Sequence, residues 1–343
     1  MIRRPSSPGL AAGFAGMTLL TCACLAGPWL VRPLPDTDLA RCRLLPPGSR
    51  VTVVTLEDGR VLVSPQVETV ASMLRIGGGA RPLEIERASV TRLSRHRYWM
   101  GSDRFGRDLL RQLLLGGRIS LAIAALAAAL AVLVGASVGL AAASGGRLVD
   151  GALMRTVDAL LAFPSLLLMI LLAALFRPSP TLLVLVLGLS SWMGVARLVR
   201  GQVLSLRTRT FVLAARTSGS RWHRIWLLHY APGLAGPVSQ DTALRLGDLV
   251  IAEATLSYLN LGVPATVPTW GSLVAEGHGA LFMGAERFPA VLDGWWLATF
   301  PGLAIALLVV SLALVGDGIH GLVRGSEHGD RSEDLPHREG ELG

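Results

Sequence analysis

The sequence predicts an all-α integral membrane protein with six transmembrane helices and a small extracytoplasmic insert, containing a β-hairpin, after the first helix. The composition is the first indication, because 51% of the 343 residues are hydrophobic and 16% are charged, whereas soluble domains usually carry about 25% charged residues. The second is a series of long uncharged stretches. The third is the uneven distribution of arginine, which predicts how those stretches are oriented.

Five stretches carry no charge over 18 to 28 positions and are predicted to cross the membrane, since a spanning helix needs roughly 20 apolar residues. They are Leu10–Val31, Ile119–Gly146, Ala159–Phe176, Pro178–Ala196 and Gly294–Gly316. Arg3 and Arg4 precede the first stretch as they would in a signal peptide, but the stretch exceeds the roughly 7–15 apolar residues of such a peptide. We therefore expect residues 10–31 to be a retained anchor.

A sixth predicted span, Gly233–Leu261, is apolar but carries Asp241, Arg245, Asp248 and Glu253. The spacing i, i+4, i+7 places the first three on one stripe of a helix. Charges of alternating sign can face the interior of a bundle and offset one another. Two interpretations stay open: the charges form buried ion pairs that stabilise the bundle, or they line a translocation path.

Six spans place both termini on one side of the membrane, and arginine indicates that this side is the cytoplasm. With residues 1–9 inside, the inner segments and the polar tail 325–343 hold fourteen arginines, while the two short outer loops hold only Arg177 and Arg287. Residues 32–118 hold fifteen on the outside, but segments beyond about 60 residues largely escape this rule.

The outer segment is predicted to contain two different elements. Within the insert, residues 32–100, the stretch Val51–Val63 alternates around Asp58-Gly59, which is a signal for a type I′ hairpin turn. Two strands alone are marginal, so they need support from elsewhere. Residues 101–118 place leucines on one helical face and arginines on the other, which predicts an amphipathic interfacial helix.

Several chemistries are disfavoured by composition. All 32 basic residues are arginine, so the lysine of a phosphate-binding P-loop is missing and ATP-driven work has to come from another chain. The three cysteines are not spaced as Cys-x-x-Cys, and the seven histidines do not cluster. We expect no metal and no cofactor bound by this chain, and no nucleic-acid partner.

One motif suggests an enzyme. Gly135-Ala-Ser137-Val-Gly139 matches the nucleophile elbow of hydrolases, which requires a strand–turn–helix context. Here it lies inside an uncharged helical stretch, where small residues favour close helix packing. A membrane-embedded hydrolase using Ser137, or a receptor or anchor that transports nothing, remains an alternative.

The segment Arg197–Tyr230 holds seven arginines between two spans. Helix signals run through Arg207–Ala215, Gly219 breaks the helix, and Ser220 is predicted to cap a second helix that Pro232 stops. The predicted product is two short helices joined by a sharp bend at the inner face, which can fit a groove on a soluble partner. Alternatively, the arginines only bind anionic lipid headgroups.

This segment resembles the coupling loop of binding-protein-dependent ABC importer permeases, whose motif reads Glu-Ala-Ala, three residues, Gly, and about nine residues to an Ile-x-Leu-Pro-like end. Here Leu213-Ala214-Ala215 is followed by Gly219, and Ala231-Pro232 closes the segment. Further strings similar to that family occur at residues 101–108, 155–165, 196–205, 252–262, 269–271 and 300–302. The resemblance covers residues 98–324 and is greatest to the second permease subunit of dipeptide, oligopeptide and nickel importers.

The resemblance implies the type I permease fold of ABC importers, with five helices in the core 119–324 and a cytoplasmic coupling loop at 197–232. It implies partners as well: two ABC ATPase subunits that use ATP and Mg²⁺, a second homologous permease, an extracytoplasmic solute-binding protein and the lipid bilayer of a bacterial inner membrane. The coupling residues would be Leu213, Ala214, Ala215, Arg216, Gly219, Arg221, Arg224 and Pro232. Leu213 departs from the family's glutamate, and the hairpin of the insert is not implied.

Overall fold

The computed structural model describes residues 8–31, 34, 39–70, 72–77, 82–264, 266–284 and 294–333. Over these residues the chain forms ten α-helices and six β-strands. The helices are α1 (Pro8–Leu30), α2 (Leu109–Ser144), α3 (Gly146–Leu161), α4 (Ser165–Ala174), α5 (Pro180–Leu206), α6 (Thr210–Thr217), α7 (Trp222–Ile225), α8 (Ala231–Tyr258), α9 (Trp270–Gly284) and α10 (Trp295–Glu333). The strands are β1 (Arg50–Leu56), β2 (Val61–Ser64), β3 (Val67–Val70), β4 (Met73–Ile76), β5 (Leu83–Glu86) and β6 (Val90–Arg97).

The chain divides into two compact units. Among the described residues, unit 1 comprises 8–18, 123–252 and 307–333, and unit 2 comprises 19–122 and 253–306. The predicted coupling loop lies in unit 1, and the insert lies in unit 2. The outer loop with Arg287 and the first and last residues of the chain lie outside the described residues, whereas residues 325–333 of the predicted tail continue helix α10.

Four helices among the described residues are long and apolar enough to cross a membrane: α1, α2, α5 and the part of α10 from Trp295 to Ile319. The pair α3 and α4 passes the same criterion together but is bent by 82°, which brings the number to five at most. Helix α8 does not meet this criterion, because it carries four charged residues. The predicted number of six spans therefore stays a prediction.

The predicted continuous span Ala159–Phe176 was wrong. Helix α3 ends at Leu161, and α4 begins at Ser165 after Pro164. Proline disfavours helical backbone at the residue before it, here Phe163, and it cannot donate a backbone hydrogen bond itself. The apolar stretch is therefore divided into two helices at its proline.

The predicted interfacial helix 101–118 was wrong over residues 101–108, whereas residues 109–118 are the first part of α2. Residues 101–108 form a loop in which Gly101 and Gly106 adopt positive φ angles of 84° and 83°, and such angles cannot occur inside a right-handed helix. The Asp108 side chain accepts the Leu110 backbone N–H at 3.0 Å and caps the start of α2. Leu109 is fully buried, packed against α9 and α10 rather than against a membrane surface.

The insert contains two three-stranded antiparallel sheets. Strands β1 and β2 pair around Asp58-Gly59, as predicted, and β6 pairs with the other edge of β1. The predicted turn type was wrong, because type I′ requires a positive φ at both central residues and only Gly59, at 82°, has one. The second sheet has the order β3-β4-β5. Both faces of β1 are covered: Val51 and Val53 pack with Tyr98, while Val54 packs with Ile76 of β4. The marginal hairpin is thus supported by residues of the same insert.

Close helix packing explains the hydrolase-like motif. Gly135 and Gly139 of α2 lie directly against α5, since a Cβ atom at Gly135 would come within 2.6 Å of the Trp192 carbonyl oxygen. Small residues permit this approach of two backbones. The Ser137 hydroxyl donates to the Leu133 carbonyl of its own helix at 2.7 Å. The motif therefore lies inside α2 and lacks the strand–turn–helix setting of a nucleophile elbow.

Helix α9 was not predicted from sequence. Its start is a reciprocal cap, in which the Ser272 hydroxyl accepts the Thr269 N–H at 2.9 Å and the Thr269 hydroxyl accepts the Ser272 N–H at 3.1 Å. Trp270 is fully buried, and its indole N–H donates to the Leu113 carbonyl of α2 at 2.9 Å. These contacts hold α9 against α2 within unit 2.

The loop 101–108 gives a test of the fold. The buried Asp103 carboxylate accepts the backbone N–H groups of Phe105 at 2.9 Å and Arg107 at 2.8 Å, and it pairs with the Arg107 guanidinium at 2.5 Å. We expect Asp103→Ala to lower the free energy of unfolding by about 3 kcal/mol, because it leaves the half-buried Arg107 guanidinium and two backbone N–H groups without their acceptor. Thermal unfolding of the purified chain in detergent measures this.

The control is Glu84→Ala, which removes an exposed ion pair with Arg75 in the same unit. We expect little change there, because solvent screens exposed pairs. Equal melting temperatures for the two variants would contradict the role given to Asp103.

Candidate coupling surface and charged groups of the bundle

The predicted bend between α6 and α7 is a Schellman turn, centred on Gly219. The Ser220 N–H donates to the Ala215 carbonyl at 3.1 Å and the Gly219 N–H donates to the Arg216 carbonyl at 3.0 Å, which is the hydrogen-bond pattern of that motif. Gly219 has a φ of 72°, and the space around a Cβ atom there is open. Glycine is therefore required by the backbone conformation and not by crowding.

The inward side of the bend is anchored in a hydrophobic cluster. Val212 of α6, Ile225 of α7 and Tyr230 are buried against valines of α5, including Val199 and Val203. The Arg216 guanidinium donates to the Tyr230 hydroxyl at 3.1 Å, which links the two arms of the bend. The bend is therefore attached to α5 and does not hang free as a loop.

The outward side of the bend is exposed. Leu213, at the position of the family's glutamate, is 47% exposed, and the Phe211 ring beside it is 48% exposed. Ala215 is half-buried because it faces the cluster. The other residues of the predicted coupling set that are exposed are Ala214, Arg216, Gly219, Arg221, Arg224 and Pro232.

Two predicted details of this segment were wrong. The second short helix is not capped by Ser220, since Arg221 occupies the N-cap position and makes no side-chain cap hydrogen bond. Pro232 does not end the helix either: α7 continues through a π-helical segment, Trp226–Tyr230, directly into α8. Proline has no N–H to donate and its ring clashes with the preceding turn of a regular helix. The wider π turn leaves room for the ring, so the helix stays continuous.

Three of the seven arginines in the predicted coupling loop bind other elements of unit 1. The loop is also shorter than predicted, because α5 extends to Leu206. The three contacts are Arg197 with Asp158 at 2.6 Å, Arg200 with Asp150 at 2.5 and 2.7 Å, and Arg207 with the Ala143 carbonyl. Arg209, Arg221 and Arg224 form no ion pair with any described residue, so these three cations are available to a partner.

The four charges predicted in α8 separate into a pair and two single groups. Arg245 donates to Asp241 at 2.5 and 3.2 Å and to the Ser191 carbonyl of α5 at 3.2 Å. Gly194 of α5 gives the guanidinium its space, because a Cβ atom there would collide with it. Asp248 is exposed and pairs with no cation among the described residues.

Glu253 has a different environment in unit 2. It is fully buried, and its carboxyl group accepts the Ser120 hydroxyl of α2 at 2.9 Å and the Ser257 hydroxyl of α8 at 2.8 Å. The Ser120 hydroxyl oxygen in turn accepts the backbone N–H of Trp270 at 3.1 Å. The carboxyl therefore joins α2, α8 and the start of α9 without an ion pair to any described residue.

A polar pocket of about 320 Å³ in unit 2 was missed by the sequence interpretation. It lies where the loop 101–108 meets α9, and Glu276 of α9 is its most buried charge. Burial raises the pKa of the Glu276 carboxyl, and the charge of Asp103 acts in the same direction, while Arg104 and Arg107 oppose it. The available sequence signal was Glu276 itself, the one acid inside residues 270–284.

Comparison with known proteins places this geometry in a family. A family model described as the binding-protein-dependent transport system inner membrane component matches residues 131–325, which is more than half of the chain. The chain belongs to this family of transport permeases. The permease accordingly has the membrane permease fold of ABC importers, and the match includes the whole coupling bend and all four predicted charges of α8.

Several bacterial relatives are similar to the permease. A putative peptide transport system permease protein of Brucella suis biovar 1 is 37% identical over 219 residues, 64% of this chain and 70% of the relative. The dipeptide permease DppC of Bacillus subtilis is 33% identical, covering 65% of this chain and 67% of its own. The oligopeptide permease OppC of the same organism is 34% identical, covering 65% and 70%.

A solved structure is also similar to the permease. It is a chain of the MetNI methionine ABC transporter in an inward-facing conformation, with a TM-score of 0.46 and 17% sequence identity, and the match covers 62% of this chain and 95% of that chain.

The Asp241–Arg245 pair gives a test of the bundle. We expect Asp241→Leu to lower the free energy of unfolding by about 2 kcal/mol, because Arg245 keeps only the Ser191 carbonyl as acceptor. Asp241→Leu combined with Arg245→Leu should recover much of this loss, since no unpaired charge remains. Yield and melting temperature in detergent measure both effects.

Asp248→Leu is the matched control, because Asp248 lies on the same helix but is exposed and unpaired with described residues. Its melting temperature should stay near that of the wild type. A double variant no more stable than Asp241→Leu alone would argue against the pair.

Proposed function

We propose that this permease is the transmembrane subunit of an ATP-driven importer and forms part of the translocation path for di- or oligopeptides. The names of its relatives, which are peptide, dipeptide and oligopeptide transport permeases, support peptides as the substrate class. Nickel or another small solute is the second candidate.

The single observation that carries the proposal is the exposed bend between α6 and α7. It presents small and apolar side chains outward, including Leu213 and Ala214, on a backbone fixed by the Gly219 turn. Small side chains permit close contact with a groove on a partner, and the three unpaired cations around it suit acidic groups on the same partner.

The energy source lies on other chains. Because the permease has no lysine, it cannot build a standard P-loop. Two ABC ATPase subunits would bind ATP and Mg²⁺, a second homologous permease would complete the path, and an extracytoplasmic solute-binding protein would deliver the substrate. The permease itself binds no cofactor in this proposal, and nucleic acid is not a partner.

The orientation follows from six spans. We count the bent pair α3–α4 as one span and α8 as another, since its 28 residues are about 42 Å long at 1.5 Å per residue. Asp241 and Arg245 offset one another inside the bundle, which reduces the cost of placing them there. Both termini and the coupling bend are then cytoplasmic in a bacterial inner membrane, and the insert lies outside.

A movement of the bend would be transmitted directly to two spans, α5 and α8. The bend packs on α5, and α7 continues into α8 without interruption. Arg245 connects α8 to α5 as well. A displacement of the bend by ATPase closure would therefore move α5 and α8 together. ATP can drive this only if the ATPase contacts differ between the two orientations.

Leu213 alters the chemistry of the proposed contact between the bend and the ATPase. A leucine at the glutamate position cannot accept a hydrogen bond or pair with a cation. Together with the exposed Phe211 ring, it favours an apolar surface on the ATPase. The partner ATPase of this permease is therefore expected to differ from those of relatives that carry glutamate.

Gly219→Val tests the coupling role. Valine at a φ of 72° is strained by about 1–2 kcal/mol or more, so we expect the bend to lose its shape while the permease still inserts and assembles. Uptake and ligand-stimulated ATP hydrolysis in proteoliposomes with all partner subunits should fall at least tenfold, since 1.4 kcal/mol corresponds to a factor of ten.

Gly59→Val is the matched control, because Gly59 has a similar φ of 82° and equally open surroundings but lies in the hairpin turn of the insert. Its uptake should be close to that of the wild type. Full ligand-coupled turnover in Gly219→Val would rule out the coupling role, and solute uptake by the isolated permease without nucleotide would overturn the importer assignment.

A further inference from the structure

The polar pocket of unit 2 has the size and chemistry of a binding site for part of a small ligand. Its volume of about 320 Å³ lies at the lower end of the range for ligand pockets, roughly 300–1,000 Å³, so it fits a single residue better than a long peptide. Its walls are the loop 101–108, the end of α8 and one side of α9. Its polar lining residues are Arg104, Arg107, Ser257, Tyr258, Asn260, Ser272, Glu276 and His278.

Arg104 and Arg107 differ in how closely they bind acidic groups of the protein. Arg107 is bound to the buried Asp103 carboxylate at 2.5 Å and approaches Glu276 only at 3.9 Å. Arg104 approaches Glu276 through Nε at 3.5 Å, and its side chain is 53% exposed. The terminal nitrogens of Arg104 form no hydrogen bond with any described residue, so its guanidinium can bind a ligand.

Two neutral polar side chains line the same pocket as this guanidinium. Tyr258 and Asn260 are lining residues, and neither side chain forms a hydrogen bond with the described residues. The Tyr258 ring is fixed by an edge contact with the His278 ring, with centroids 5.3 Å apart. The Asn260 backbone has a φ of 60°, a left-handed conformation that asparagine tolerates.

A planar guanidinium matches the bidentate geometry of a carboxylate, and a hydroxyl and an amide that line the same pocket can supply further hydrogen-bond donors. The exposure of the charges agrees: Asp103 and Glu276 offset the two arginines, but both acids are buried, whereas the Arg104 side chain is 53% exposed and is the charge that a ligand can reach. An ammonium group would meet the Arg104 cation instead. A terminal carboxylate is therefore favoured over a terminal amine.

We propose that this pocket is an outer subsite of the permease that binds the C-terminal carboxylate of a peptide through Arg104, Tyr258 and Asn260. The inference rests on the proposed function and adds a substrate contact to it. The pocket shares unit 2 with the insert, so the topology proposed above places it on the extracytoplasmic side, where a delivered peptide arrives.

Thiol protection tests the subsite directly. Gly279 lines the pocket and has open space around a Cβ atom, so Gly279→Cys adds a reporter at little cost. The exposed Cys22 is replaced with serine, and the buried Cys24 and Cys42 are kept. The complex with its ATPases and second permease, but without the binding protein, is labelled with a negatively charged methanethiosulfonate reagent in the presence of dialanine or dialanine amide.

We expect dialanine to slow the labelling of Gly279→Cys and its amide to have little effect. Arg104→Gln should raise the dialanine concentration for half protection about tenfold, the equivalent of one charge-assisted hydrogen bond. Tyr258→Phe should raise it less, since it removes a neutral donor. Arg75→Gln, which breaks the similar but exposed Arg75–Glu84 pair outside the pocket, should leave protection unchanged.

Equal protection by dialanine and its amide, no protection by either, or equal effects of Arg104→Gln and Arg75→Gln would overturn the carboxylate subsite. Nucleotide-stimulated ATP hydrolysis by each variant confirms that the complex has assembled. Uptake of dialanine by the wild-type complex with its binding protein reports on the proposed function separately. Protection without uptake would support the subsite and overturn peptide import, whereas uptake without protection would overturn the subsite alone.

Discussion

Unit 1 of this permease depends on one constraint, which is that a guanidinium among apolar helices must find its acceptors inside the protein. Arg245 satisfies this with Asp241 on its own helix and the Ser191 carbonyl on α5. Gly194 leaves the space that the guanidinium occupies. Because α5 and α8 are the two helices that carry the coupling bend between them, this contact sets the spacing of the arms through which force would enter the bundle.

The bend itself combines rigidity with exposure. Its inward side is buried with Val212, Ile225 and Tyr230, and its backbone is closed by the Gly219 turn. Few internal degrees of freedom therefore remain through which the bend could change its own shape. The π-helical segment joins it to α8 although Pro232 stands at the junction. Local irregularities of this kind are usual where a helix must stay continuous around a proline.

Unit 2 follows a similar rule with different groups. Glu253 is satisfied by the hydroxyls of Ser120 and Ser257, and Asp103 by backbone N–H groups and Arg107. Buried polar groups with partners specify one arrangement, since any displacement would leave them unpaired. Arg104 differs from these two acids, because its side chain is 53% exposed and its terminal nitrogens form no hydrogen bond with the described residues, as the proposed ligand contact requires.

The sequence by itself determined what depends on local chemistry: the long apolar helices, the position of the Asp58-Gly59 turn, the bend at Gly219 and the placement of Asp241 and Arg245 on one stripe of a helix. Run length, positive φ and helical periodicity are all properties of neighbouring residues. Tertiary structure decided that residues 101–108 form a loop, that α9 exists, and that Arg245 reaches Ser191 on another helix. Glu276 meets Arg104 across 172 positions of the chain, and no local pattern encodes a partner at that distance, because only packing of α9 against the loop brings the two together.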